Sequence, residues 1–302
     1  MPTRYIFLLC FFVLCAHPCK GADALAINNR FEAGKTYEYE QVSQISTVPE
    51  GTAFAETPDS HITVHYVAQA TREQGTDNLA LQVLVSSVKA GVMQEGLIYA
   101  YDSSDPAKSP PPLQQLFGGV KDKTFTLIYS PSLDLIEIRA PNDDATLLKG
   151  MPVMTSRQLA ESFHLLQMAS LPKRTVEKGA EWEWKCKLQL PPMPTIIYNG
   201  KSRLDGRQSS GQPDQVAVAV EGTLESHDKD TPAPATATAI PLLTDAIFKG
   251  SQIFDTKQRL LIQTTVSCEF NLFVNGGAMR TLQYDSCRLL SVKDKTLKSA
   301  DD

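Results

Sequence analysis

Apolar residues recur at every second position along much of the chain and predict β-strands. The clearest stretches are 79–85, 182–190, 216–220 and 260–272. A period of two is typical of a strand with one buried and one solvated face, as antiparallel sheets commonly have. Long apolar strands that alternate with helices are missing, which argues against a doubly wound fold. The chain is therefore predicted to be mainly β, with a minor helical part.

One helix is predicted near the middle of the chain. Thr155 and Ser156 supply capping hydroxyls, and Gln158 follows three residues after Thr155, as in a capping box. Apolar residues follow at helical spacing: Leu159, Phe163 and Leu166. The helix is expected to end before the Leu-Pro pair at 171–172, because proline disfavours a helical residue before it.

Two segments of the chain are similar to each other. Residues 31–41 read FEAGKTYEYEQ and residues 176–186 read VEKGAEWEWKC, an offset of 145 positions. The alignment pairs Glu32 with Glu177, Gly34 with Gly179, Tyr37 with Trp182, Glu38 with Glu183 and Tyr39 with Trp184. Residues 127–129 and 252–254 follow as a later matching pair. A duplicated unit of about 120 to 145 residues accounts for these similarities.

This repeat divides the chain into two tandem, related antiparallel β-sandwich or half-barrel units joined by a helical connector. The predicted segments are a signal peptide (1–26), a first β-repeat unit (27–140), the connector (141–171), a second β-repeat unit (172–293) and a polar C-terminal tail (294–302).

The N-terminus resembles a secretory signal peptide. Arg4 precedes an apolar run from Ile6 to Ala16, and small residues allow cleavage after Gly21, Ala24 or Ala26. The run is too short for an ordinary transmembrane helix, and no later segment reaches the roughly 18 apolar residues that such a helix needs. We therefore expect an exported protein, periplasmic or secreted, with no transmembrane segment in the mature chain.

Lipoprotein anchoring is the alternative fate of this N-terminus. Cys10, Cys15 and Cys19 lie in or just after the apolar run. A lipidation site needs a small residue directly before its cysteine. Cys15 instead follows Leu14, and Cys19 follows Pro18, so cleavage without lipidation is the favoured interpretation.

Three cysteines follow the predicted cleavage site: Cys186, Cys268 and Cys287. An odd number in an oxidising compartment indicates one disulfide and one free thiol. Cys268 and Cys287 flank a predicted hairpin turn at 275–277, which favours their pairing. Alternation places Cys186 and Cys268 on the inward faces of their strands, so a disulfide between these two cysteines is a second alternative. Three unpaired buried thiols are the remaining alternative.

Composition and motifs exclude several functions. The 302 residues are 42% hydrophobic and 21% charged, with a net charge of −5. Without a basic run, the chain lacks the positive face that nucleic-acid binding needs. It also lacks the Cys-x-x-Cys pair of many zinc sites and the Gly-x-Ser-x-Gly turn of many serine hydrolases. No metal, cofactor or catalytic residue is therefore predicted.

The segment that opens the second unit carries a family resemblance. Residues 171–182, LPKRTVEKGAEW, resemble the Leu-Pro…Val-x-x-Gly-x-x-Trp motif of an uncharacterised family of exported bacterial proteins with two β-repeats. The resemblance rests on this one motif. It implies a bacterial envelope or secreted setting, and it implies neither an activity nor catalytic residues.

The paired aromatic residues Tyr37, Tyr39, Trp182 and Trp184 are the remaining candidates for a site. Each pair lies on one face of its strand, where it either fills the core or lines a ligand cavity. We therefore predict a non-enzymatic exported protein that binds an apolar, lipid-like ligand or an envelope protein. The alternatives are a structural or assembly component of the cell surface without a small-molecule site, and an enzyme of unrecognised type.

Overall fold

The computed structural model describes residues 24–55, 57–94, 96–141, 155–188, 195–207, 212–227, 242–274 and 277–294. Most of the predicted signal peptide and of the predicted C-terminal tail therefore lies outside the described residues. Strands form most of the described chain, so the prediction of a mainly β fold with a minor helical part is confirmed.

The strands and helices form two sets, one on either side of a central helix. The first set comprises β1 (Leu25–Ala26), β2 (Lys35–Pro49), β3 (Ser60–Arg72), β4 (Leu79–Gln94), β5 (Leu97–Asp102), a 3-10 turn (Pro106–Lys108), α1 (Pro111–Phe117), β6 (Thr124–Tyr129) and β7 (Leu135–Arg139). The middle holds α2 (Ser156–His164), which continues into a π-helical segment (Leu165–Ala169); together they are called the connector helix. The second set comprises β8 (Thr175–Val176), β9 (Glu181–Leu188), β10 (Thr195–Arg207), β11 (Gln215–His227), β12 (Leu242–Asp255), β13 (Leu260–Val274) and β14 (Gly277–Asp294).

Within the described residues, twelve strands form one antiparallel sheet. Its order is β7-β6-β4-β3-β2-β14-β13-β12-β11-β10-β9, with β5 also paired to β4, while β1 and β8 form a separate pair. The blocks β7 to β2 and β13 to β9 run in the same order, and β14 joins them. Because of this arrangement β2 is an interior strand, whereas β9 ends the sheet.

The segments that align in sequence also share local geometry. Gly34 and Gly179 both adopt positive φ, +86° and +83°, the left-handed conformation that glycine tolerates best. The Gly34 N–H donates to the carbonyl of Ala70 at 3.0 Å, and the Gly179 N–H donates to the carbonyl of Leu204 at 2.8 Å. β2 and β9 therefore begin from equivalent turns and pair in the same way with the next strand of their block.

Residues 127–129 and 252–254, the later matching segments of the sequence, also occupy equivalent positions in the two blocks. Tyr129 on β6 is opposite Leu79, and Phe254 on β12 is opposite Val216 on β11. The turn after each strand contains a non-glycine residue with positive φ, Leu133 at 65° and Arg259 at 56°. The equivalence thus extends along both blocks of the sheet.

The connector helix packs against the sheet and contacts two clusters of buried hydrophobic residues, one mainly in each block. A capping box forms at its start: Thr155 Oγ1 accepts from the N–H of Gln158, whose Oε1 accepts from the N–H of Thr155. Phe163 packs in the cluster of the first block, and Leu165 packs against that of the second. α2 contacts both terminal strands, β7 and β9, so the sheet curves around this helix.

None of the helices in the described part of the chain is both long and apolar enough to cross a membrane.

Candidate ligand-binding cleft

The tyrosine pair of the first block lies in the core. Tyr37 and Tyr39 on β2 are each 1% exposed. β14 pairs with β2 along the edge that corresponds to the unpaired edge of β9 and helps to cover them. The Tyr37 hydroxyl accepts from the N–H of Glu32 at 2.7 Å, and the ring of Tyr39 meets Phe163 edge-on at 5.3 Å. Burial raises the pKa of both hydroxyls. Tyr39 is a packing residue, and Tyr37 only borders a surface depression.

The tryptophan pair of the second block is only partly buried, since it lies on the terminal strand. Trp182 Nε1 donates to the carbonyl of Ser170 at 2.8 Å, and Trp184 Nε1 donates to Ser202 Oγ at 2.9 Å. The indole of Trp184 covers Gly200, where an added Cβ would come within 2.1 Å of the ring. Both indoles are therefore held in place while they remain accessible.

A cleft of about 550 Å³ lies between the start of β7 and the first half of β9, against the end of the connector helix. We call it the seam cleft. Its apolar wall comes from all three elements and from the segment after the helix: Leu133, Leu135, Met168, Leu171, Trp182 and Trp184. Asp134, just before β7, and Lys173 form an ion pair between the two sides. The volume lies in the range of small-molecule pockets.

Two ionisable groups at or near the seam cleft, His164 and Cys186, are neutral near pH 7. His164, which lines the cleft, contacts the Tyr129 hydroxyl through Nδ1 at 3.0 Å. Burial lowers the pKa of His164 to about 4 and raises that of the Cys186 thiol on β9 to about 12. An activated nucleophile requires a thiolate or an effective base, and these shifts disfavour both. The floor of the cleft is suited to an apolar group.

A broader depression of about 970 Å³ lies beside the seam cleft and shares Glu183, Trp184 and Lys185 with it. It extends over Gly200 and Gly222, where the sheet carries no side chains, and it is open to solvent. A ligand there would bury less of its surface than one in the seam cleft, so we assign the candidate site to the seam cleft.

All three predicted disulfide candidates are free and buried. The Cys268–Cys287 pairing fails because of the hairpin register. Gln283 is opposite Cys268 and Thr264 is opposite Cys287, which separates the two thiols by four ladder positions, roughly 13 Å. Cys186 lies on β9, with three strands between it and the strand of Cys268. Burial raises the pKa of each thiol to about 12.

A buried acid lies on β14, the strand that joins the two blocks. Burial raises the pKa of Asp285 on β14 to about 6, although the hydroxyl of Ser43 and the amide of Gln283 both donate to its carboxylate. It borders an enclosed cavity of about 20 Å³ between the connector helix and the sheet, room for about one water molecule. In the described part of the chain, Oε1 of Gln252 beside this cavity has no hydrogen-bond partner.

Sequence reasoning found part of the seam cleft and missed the rest. It selected Trp182 and Trp184, which the structure places in the cleft, but also Tyr37 and Tyr39, which it places elsewhere. The residues that it missed include Leu133, Leu135 and Met168. No local pattern marks them, because the cleft joins strands that are distant in sequence.

Among the described residues, no group of three His, Cys, Asp or Glu side chains is placed to hold a metal ion.

Comparisons with known proteins bear on the fold. No protein-family model matches the chain, and the comparison with curated proteins also gives no match. A solved structure of lipovitellin, described for its lipid–protein interactions, is similar over 89% of this chain, with a TM-score of 0.50 and 11% identity. The chain spans 26% of that lipovitellin chain. At this identity the similarity concerns the fold alone.

Proposed function

We propose that this chain is an exported, non-enzymatic protein that binds a lipid-like ligand in the seam cleft. The observation that carries the proposal is the cleft itself, an apolar space in which two partly exposed indoles face Leu135 and Met168. Burying apolar ligand surface there contributes roughly 25 cal/mol per Å² before the cost of association is subtracted.

Two further observations support this proposal. The cleft is lined by His164, whose lowered pKa keeps the imidazole uncharged near pH 7, so an apolar chain beside it would not have to desolvate an ion. The similar lipovitellin fold was described for its interactions with lipid. The basic, then apolar, N-terminal sequence favours export, and the mature chain would meet its ligand outside the cytoplasm.

Tryptophan fluorescence tests the site directly, because Trp182 and Trp184 are the two tryptophans of the whole sequence. Titration with methyl laurate, an uncharged chain, is expected to give a saturable shift of the emission spectrum. Leu135→Asp, which places a charge in the cleft wall, should abolish the shift. Ile136→Asp is the matched control, because Ile136 is 54% exposed and does not line the cleft.

Extraction of the purified wild-type protein provides a measurement that needs no variant. Organic solvent followed by mass spectrometry should release about one lipid per chain if lipid is the natural ligand. An absence of both extracted lipid and a fluorescence response would refute the proposed function.

The filled interior favours a second candidate, a structural or assembly component that binds an envelope protein. Around Phe163, the rings of Tyr39, Tyr66 and Phe125 pack within 6.2 Å between centroids and leave no room for a ligand in this part of the core. Under this alternative the purified protein carries no lipid, and a chemical cross-linker applied to intact cells should capture one defined envelope protein.

A further inference from the structure

The rim of the seam cleft is more basic than the chain as a whole. It carries three cations, Lys173, Arg174 and Lys185, and two carboxylates, Asp134 and Glu183. The net charge of the whole sequence is −5, so this positive rim lies on an acidic protein. A local excess of one sign beside a low-dielectric wall strengthens attraction for the opposite charge.

Two of these cations have no carboxylate partner among the residues that the structure describes. Lys173 is paired with Asp134. Glu183 lies opposite Lys201, whose ion pair with Glu181 raises its pKa most, with a smaller contribution from Glu183. Among the described residues, neither Arg174 nor Lys185 takes part in an ion pair, and both side chains are exposed at the rim. They are available to an external anion, and arginine can bind a carboxylate or phosphate through two parallel hydrogen bonds.

The cleft therefore combines an apolar wall with a cationic rim. A purely hydrocarbon ligand would leave Arg174 and Lys185 unused, and a purely polar anion would leave Trp182 and Trp184 partly exposed. The volume of about 550 Å³ is in the range for one small amphiphile. The position of β9 at the end of the sheet also leaves backbone N–H groups along one side of this strand without a strand partner in the described chain.

We propose that the seam cleft selects a single-chain amphiphile with an anionic head group. The chain lies against Leu135, Met168 and the two indoles, and the head group binds Arg174 and Lys185. This inference rests on the proposed function and narrows it to one ligand class. A carboxylate and a phosphate present the same chemistry to the rim, so the test includes both.

Fluorescence titrations of the full chain with laurate, dodecyl phosphate and methyl laurate separate the head group from the acyl chain. At least one anionic ligand should bind about tenfold or more tightly than the ester, as a charge-assisted hydrogen bond allows. Raising the salt concentration should weaken only the anionic ligands, because it screens exposed charges.

The variant Arg174→Gln/Lys185→Gln should lose about tenfold or more in affinity for the anionic ligand and keep the wild-type affinity for methyl laurate. Retained ester binding also shows that the variant is folded. Lys187→Gln is the matched control, because Lys187 is exposed on the same strand but does not line the cleft. It should leave all three affinities unchanged.

The outcomes distinguish the two proposals. If the ester and both anions bind equally and the double variant matches the wild type, the anionic head group is refuted and the apolar site remains. If none of the three ligands binds, the proposed function and this inference are both refuted.

Discussion

The buried carboxylic acid Asp285 should make the stability of this protein fall as the pH rises through the weakly acidic range. Burial raises its pKa from 3.8 to about 6 in the folded chain. The folded state therefore holds this proton to a higher pH than the unfolded state does. The resulting stabilisation is fully present below about pH 4 and is lost as the pH rises to about 6.

The size of the effect follows from the two pKa values. A rise from 3.8 to about 6 corresponds to about 3 kcal/mol in the free energy of unfolding between those limits. Partly exposed carboxylates with lowered pKa values, such as Glu38 and Asp102, act in the opposite direction. The contribution of Asp285 must therefore be isolated by comparison with a variant.

Asp285→Asn removes the titration and keeps the size of the side chain. Asparagine can still accept from Ser43, but it cannot accept from Gln283 in the same way, so the absolute stability of the variant mixes two effects. The change of the unfolding free energy with pH does not depend on the loss of the Gln283 hydrogen bond. Urea unfolding followed by circular dichroism at a series of pH values between 4 and 7 measures it.

We expect the difference in unfolding free energy, wild type minus Asp285→Asn, to fall by about 2 kcal/mol from pH 4 to pH 7, because part of the total of about 3 kcal/mol is already lost at pH 4. Asp214→Asn is the control, because Asp214 is exposed beside β11, and it should show no comparable trend. A wild-type-minus-variant difference that stays constant over this range would refute the reasoning about burial.

Three further predictions concern packing and the thiols. Gly200→Ala should destabilise the fold by about 1–3 kcal/mol in urea unfolding and change tryptophan emission, because its Cβ would meet the Trp184 ring at 2.1 Å. Gly119→Ala, with open space at the Cβ position, should do neither. Phe163→Ala should cost about 3–5 kcal/mol in the same assay, since Phe163 is fully buried, whereas Leu290→Ala at a 42% exposed position should cost little. Cys186, Cys268 and Cys287 should resist a thiol reagent until urea is added, as peptide mapping by mass spectrometry can measure; rapid labelling of the folded protein would contradict their burial.

Strand periodicity and the first repeat motif predicted much of the fold because they are local signals. Alternation from Leu79 to Val85 and from Val216 to Val220 corresponds to β4 and β11, and the hydroxyl of Thr155 begins the helix as expected. Gly34 and Gly179 have the same backbone conformation, which their equivalent positions in the repeat predict. Each of these features depends on residues close together in the chain.

The order and register of the strands could not be predicted from the sequence, and the expected disulfide failed for this reason. The hairpin between Cys268 and Cys287 was correctly located, yet its register separates the thiols. Nothing in the local pattern shows that β14 pairs with β2 as well as with β13. That long-range pairing determines which aromatic pair is covered.

The extra strand explains why two similar aromatic pairs have different surroundings. Each block contributes strands in the same order, and β14 lies between them, beside Tyr37 and Tyr39. The equivalent side of β9 has no such strand in the described chain, so Trp182 and Trp184 border a cleft instead. Two blocks with the same strand order and one additional strand between them thus contain one covered and one open form of the same motif. For this reason the sheet offers a single seam cleft of this kind among the described residues, and a ligand that binds there should do so with a stoichiometry of one per chain.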